Sequence, residues 1–159
     1  MRHPNYHIRN RNHNHGFSMI EVLVTLLVLS IGLLGLAAMQ ANSMQSTHSA
    51  YLRSQATYLA YDMLDRMRAN MANLNGYGGI DTNANTYTDP GCIGTGCTPA
   101  NMTTYDASVW ATNLGSQLPA GRGAIVANAG GNNLFTITVT WDDPAAAAGT
   151  DTFAMTSQL

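Results

Sequence analysis

Apolar residues are arranged along this chain in two regimes. From Val22 to Met39 run 18 residues without a charge, VLVTLLVLSIGLLGLAAM, and inclusion of Phe17, Ser18, Met19, Ile20 and Glu21 extends the segment to 23. A run of that length predicts a helix able to cross the roughly 30 Å hydrocarbon core of a bilayer, and it exceeds what a buried helix of a soluble core normally shows. Beyond Met39, apolar residues recur at three- and four-residue spacings instead: Met44, Tyr51, Leu52, Tyr58, Leu59, Met63, Met67, Met71 and Leu74, with Gln45, Ser49, Arg53, Asp62 and Arg66 between them. That is an amphipathic stripe, expected to be core contact. No Pro interrupts the chain between Phe17 and Leu74, and the first strong stop is Asn75-Gly76-Tyr77-Gly78-Gly79. One helix is therefore expected from Phe17 to about Ala72, its first half in the membrane and its second half against a head.

The pattern changes again downstream. Gly76 to Gly96 is loop by composition, rich in Asn, Thr, Asp, Gly and Pro. Thr98-Pro99 then reads as an N-cap followed by Pro at the first helical position. Met102, Tyr105, Val109, Leu114 and Leu118 predict a second helix, which Pro119-Ala120-Gly121 ends. Ala124 to Ala127 is a short β segment. Leu134 to Trp141 alternates cleanly, with Phe135, Ile137, Val139 and Trp141 on one face and Thr136, Thr138 and Thr140 on the other. Thr152 to Thr156 predicts a third strand, with Ala145 to Ala148 as a loose hairpin loop before it. The expected fold class is α+β: a long N-terminal helix packed on a small antiparallel sheet.

Composition sharpens this picture. The 159 residues are 45% apolar but only 10% charged, against roughly 25% charged in soluble domains. All seven basic residues are Arg, and Arg2, Arg9 and Arg11 precede the apolar run together with His3, His7, His13 and His15. From residue 17 onward four arginines face nine acids, a net of −5, so a fixed basic surface for nucleic-acid phosphates is not indicated. With only Arg53 comparably close on the far side, the positive-inside rule places the N-terminus in the cytoplasm and the head outside. A secretory signal peptide shares the basic start, but its apolar region is about 7–15 residues and ends at a small-residue cleavage site; here the helical pattern continues past Ala41.

Candidate chemistry is sparse. Cys92 and Cys97, the only cysteines, lie in a glycine-rich loop outside the membrane and are expected to form a disulfide. A metal site is not expected, because His48 is the only His after the basic segment and structural zinc normally takes four Cys or His ligands. Asp62, Asp65, Arg66 and Arg68 read as a solvated helix face with an Asp62–Arg66 pair rather than a catalytic dyad. Gly32 and Gly35 within the span either loosen the helix or let a neighbouring helix approach. A membrane-anchored enzyme would have only His48 as a neutral-pH base and no nucleophile motif. Neither catalysis nor a cofactor is expected.

The most informative residues lie just before the span, in Gly16-Phe17-Ser18-Met19-Ile20-Glu21-Val22-Leu23. A carboxylate at the bilayer centre costs about 2.5–3.5 kcal/mol on insertion scales, so Glu21 needs either solvation at the cytoplasmic interface, where it also suits the helix N-terminal dipole, or a partner. The junction resembles the class III leader of type IV pilins and type II secretion pseudopilins. That resemblance implies a leader ending at Gly16, removal by a prepilin peptidase, a mature and N-methylated terminus at Phe17, and Glu21 as the fifth mature residue. Glu21 would then support methylation and set filament register by pairing with a neighbouring subunit's terminal amine. Ser18-Met19 departs from the commoner Thr-Leu, and the leader is unusually rich in His and Asn.

The span from Glu21 to Leu36, the helix from Arg53 to Asn70, Cys97-Thr98-Pro99-Ala100 with Tyr105-Asp106, Arg122-Gly123 and Thr140-Trp141-Asp142-Asp143 are similar to minor pilins of the PilV type. The implied organisation is a leader over 1–16, a transmembrane part over 17–39, an amphipathic half-helix over 40–74 and a head over 75–159. The implied partners are other minor pilins, the major pilin, the prepilin peptidase and the inner-membrane pilus assembly machinery, with roles in assembly, twitching motility, adhesion or DNA uptake. A minor pseudopilin of a type II secretion system is the alternative.

Overall fold

A computed structural model describes residues 16–94, 96–128 and 132–159. Helix α1, Met19–Ala69, contributes to two units, one extending to Asn42 and the other from Ser43 to Leu159. In the first unit every described side chain is exposed, so no protein core accounts for the apolar run. The helix there is long and apolar enough to cross a membrane. Its few hydroxyls are satisfied within the helix itself: Thr25 Oγ1 donates to the Val22 carbonyl at 2.8 Å and Ser30 Oγ to that of Leu26 at 2.7 Å. Internal satisfaction is what a segment without access to water requires.

The second unit is α+β. After α1 come a 3₁₀ segment, Met71–Tyr77, helix α2, Pro99–Gln117, and strands β1, Arg122–Ala127, β2, Leu134–Asp142, and β3, Thr150–Gln158. The strands form one antiparallel sheet in the order β1-β2-β3, with Ile125 opposite Ile137 and Ile137 opposite Met155. The alternation read from β2 holds. Phe135, Ile137, Val139 and Trp141 are buried against α1 and α2, while Thr136, Thr138 and Thr140 lie on the outer face. Helix α2 begins as expected, with Thr98 Oγ1 accepting from the Asn101 N–H at 3.2 Å and Pro99 opening the first turn.

Several expectations need correction. The buried stripe of α1 is Leu52, Ala56, Leu59, Ala60, Met63, Leu64 and Met67. Met44, Tyr51, Tyr58 and Met71, expected in the core, are exposed, whereas Leu74 is buried in the 3₁₀ segment. Ala56 and Ala60 belong to this buried stripe, and the bulky Tyr51 and Tyr58 fall on the exposed side of the helix. On α2 the fully buried side is Thr103, Asp106, Ala107, Trp110 and Leu114, while Met102, Tyr105 and Val109 are only half-buried.

The span Gly76 to Gly96 is not loop throughout. Gly79 to Thr82 runs beside β1, with Ile125 N–H donating to the Ile80 carbonyl at 2.8 Å and Gly79 N–H to that of Ile125 at 2.9 Å. The polyalanine connection is closed rather than loose. Asp143, buried, has its N–H on the Gly149 carbonyl at 3.0 Å and its carboxylate accepting from Ala145 N–H and Ser49 Oγ, and Gly149 takes the positive φ of 71° this closure needs.

Trp110 is the centre of the head core. Its ring is fully buried, its Nε1 donates to the Leu59 carbonyl of α1 at 3.0 Å, and a Cβ at Gly123 would overlap it. Gly123→Ala is therefore expected to destabilise the protein by about 1–3 kcal/mol, the usual effect of overpacking. Thermal melting of the detergent-solubilised chain checks this, and an unchanged transition would refute it.

Candidate functional site

The N-terminal junction is built by the local rules of a helix start. Ser18 precedes α1, and its carbonyl accepts from the Glu21 N–H at 3.0 Å and the Val22 N–H at 3.2 Å. Glu21 therefore sits in the first turn, where the exposed N–H groups of the helix favour a carboxylate. Gly16 and Phe17 lie outside the helix, with Phe17 85% exposed. The Gly16-Phe17 bond is uncovered, and Glu21, four residues beyond Phe17, stands at the head of an uncovered apolar run. Residues 1–15 of the expected leader, with Arg2, Arg9 and Arg11, lie outside the described residues. Gly32 and Gly35 are in open space, so each leaves a notch on the helix surface rather than accommodating a neighbour within the chain.

In the head, Cys92 and Cys97 form a disulfide, Cα to Cα 5.0 Å, that closes the glycine-rich turn next to α2. The charged residues near the end of α1 are more than a solvated face. Arg66 Nε donates to Asp62 at 2.9 Å, the expected i,i+4 pair, but Arg66 Nη1 also reaches the buried Asp106 of α2 at 3.2 Å. Asp106 Oδ2 accepts from the Tyr77 hydroxyl at 2.5 Å. Asn70 Nδ2 donates to Tyr77 Oη, Thr103 Oγ1 and the Pro99 carbonyl at 3.1, 3.2 and 2.8 Å. Burial, reinforced by the Asp106 carboxylate, pushes the Tyr77 phenol up to about 12. Burial opposes the Arg66 charge, but the Asp62 and Asp106 carboxylates outweigh it and raise its pKa.

This network joins α1, the 3₁₀ segment and α2, and it was not read from the sequence. Its available signal was that Thr103, Asp106 and Trp110 share one helical face at three- and four-residue spacing. Arg68 with Asp65, at 2.9 Å, is the exposed pair that the solvated-face reading describes. Among the described residues no group of three or more His, Cys, Asp or Glu is placed to hold a metal ion. The polar network is internally satisfied, which makes it a structural latch rather than a reactive centre.

Two family models match the chain. One, described as the prokaryotic N-terminal methylation motif, matches residues 11–37, covering the junction and most of the apolar run. The other, described as Tt1218-like, type IV pilin Tt1218, matches residues 38–108, from the end of that run through α1 and the disulfide turn into α2. No curated protein and no solved structure gives a significant match.

Proposed function

From the premise that this chain is a type IV pilin with a class III leader, we propose that it is a minor pilin of the PilV type, a structural subunit that takes part in pilus assembly or modification. The methylation motif and the apolar helix fit a membrane-anchored pilin. In the proposed course, prepilin peptidase cuts after Gly16 and Phe17 becomes the N-methylated terminus. The helix over 17–39 holds the subunit in the inner membrane with its head in the periplasm, and assembly moves that helix from lipid into the filament. Glu21 pairs there with a neighbouring subunit's terminal amine. The role is structural rather than catalytic, and the partners are the major pilin, other minor pilins and the inner-membrane assembly machinery.

The observation that carries this reading is the junction itself: an accessible Gly16-Phe17 bond followed by Glu21 in the first turn of a helix whose apolar side chains are uncovered. The second half of α1 adds to it. Met44, Tyr51 and Tyr58, seven residues apart and exposed, form the kind of seam through which helices pack side by side. The matched description, a type IV pilin, favours a pilus over a type II secretion pseudopilus.

Mass spectrometry of the protein recovered from membranes or pili tests the proposal. The expected mature chain starts at Phe17 and carries one added methyl group. An intact leader, or a terminus elsewhere, would refute the reading.

A further inference from the structure

At one end of the head, where β1 finishes and β2 begins beside the 3₁₀ segment, four asparagine side chains line two adjoining hollows. Asn75, Asn128 and Asn133 line the larger, of about 300 Å³, together with Ala127, Leu134 and Phe135. Asn75 and Asn133 also line the smaller, of about 180 Å³, with Asn73 on its wall. The shared residues join the hollows into one cleft. Its larger part alone reaches the lower end of the roughly 300–1,000 Å³ usual for small-molecule sites.

The cleft is polar without being charged: none of the residues lining either hollow is Asp, Glu, Lys, Arg or His. Its amides are of two kinds. Asn73 and Asn128 are anchored, their Nδ2 atoms donating to Thr103 Oγ1 and Thr136 Oγ1, each at 2.9 Å, and each Oδ1 is left without a partner among the described residues. Asn75 and Asn133 are exposed, and neither amide has a partner among the described residues, so each offers donors and an acceptor. The main chain around them is tied down, with Asn128 N–H on the Leu134 carbonyl at 2.8 Å and Leu159 N–H on that of Asn133 at 3.0 Å. Asn133 has φ 50°, a left-handed conformation that glycine takes at lower cost, yet the chain carries an amide there. Ala127 and the partly exposed Leu134 add an apolar strip beside the amides.

The chemistry of this lining selects its ligand. A phosphate or carboxylate is held by cationic donors, and a metal ion by carboxylate, thiolate or imidazole ligands; the lining carries neither set. Sugar hydroxyls both donate and accept, as amides do, and the C–H face of a sugar ring suits an apolar strip beside a few polar groups. We propose that the cleft binds a neutral saccharide, with the Asn75 and Asn133 amides bonding hydroxyls of a terminal ring, Asn73 and Asn128 Oδ1 accepting from hydroxyls beside them, and Leu134 against its C–H face. The anchored amides and tied main chain leave little to be ordered on binding. The site belongs to the head alone, so binding depends neither on processing at Gly16 nor on assembly into a filament.

The experiment applies the full-length chain, purified in a detergent without a sugar headgroup, to an array of oligosaccharides ending in glucose, galactose, mannose or N-acetylhexosamine, beside sialylated and sulfated counterparts. Retention by at least one neutral terminus, with no gain from added sialate or sulfate, is the expected result. Binding to none of them, or to the acidic glycans alone, overturns the proposal. For the glycan retained, Asn133→Gly keeps the left-handed backbone and removes the amide; it should weaken binding roughly tenfold with thermal melting unchanged. Asn132→Ala, at an exposed neighbour outside the lining, should bind as the wild type does. Wild-type binding by Asn133→Gly, or an equal loss in Asn132→Ala, overturns the proposal. Where Asn133→Gly lowers the melting temperature, Asn75→Ala replaces it with the same expected loss. The reading of the chain as a pilus subunit fails separately, if the protein is not cut at Gly16 or is absent from pili.

Discussion

Glu21→Ala is expected to leave the chain anchored in the membrane and cleaved after Gly16, but to lower its incorporation into pili by roughly a hundredfold. The argument turns on two opposing energies. In the lipid-embedded subunit Glu21 is an acid at the head of an apolar helix, and a charge within a bilayer costs up to about 2.5–3.5 kcal/mol. Its removal should therefore make insertion easier, not harder. In the proposed filament the same carboxylate, taken out of water, would be stabilised by the neighbour's ammonium, and every register that left it unpaired would be disfavoured. Losing a preference of about 3 kcal/mol corresponds to roughly two powers of ten in an equilibrium. Quantifying the variant in membranes and in sheared pili separates the two effects. Equal incorporation of variant and wild type would remove Glu21 from the register role, and reduced membrane levels alone would point to an anchoring role instead.

The methylation motif and the apolar helix were legible because their signals are local: Gly16-Phe17, an acid at Glu21 and an uninterrupted apolar run. The same holds for Thr98-Pro99, where a capping hydroxyl and a fixed φ act on their own first turn, and for β2, whose alternation states which face is buried. What the sequence hid depends on partners distant along the chain. Tyr51 and Tyr58 share helical spacing with Leu52 and Leu59, and only packing against residues distant along the chain decides which set is buried. The Gly79 to Thr82 segment has loop composition because its pairing with β1 is made largely by backbone groups, which every residue carries. α1 ends at Ala69, ahead of the glycines, because the Asn70 side chain is taken up by Tyr77, Thr103 and Pro99.

Asp106→Ala is expected to produce the largest loss of stability in the head, about 3 kcal/mol, lowering the melting temperature of the detergent-solubilised chain by more than about 10 °C. Asp106 is the buried member of the latch. Without it Arg66 keeps only Asp62, and the buried Tyr77 hydroxyl keeps only Asn70. Asp65→Ala is the matched control: it breaks an ion pair with Arg68 on the surface and should change stability by no more than about 0.5 kcal/mol.

The latch also sets a pH dependence whose sign is fixed. The folded state holds the Tyr77 phenol protonated up to about 12, against 10 for an ordinary tyrosine. Above pH 10 the unfolded chain loses that proton first. Stability is therefore full below about pH 10 and declines as pH rises toward 12, by at most roughly 2–3 kcal/mol from this group. Tyr77→Phe should abolish that part of the alkaline decline while costing stability at neutral pH through the lost hydroxyl bond to Asp106. Denaturant unfolding of both chains at pH 8 and pH 11 measures the difference. A Tyr77→Phe chain that loses as much stability as the wild type between those two values would show that the alkaline transition belongs to other groups and that Asp106 holds Arg66 alone.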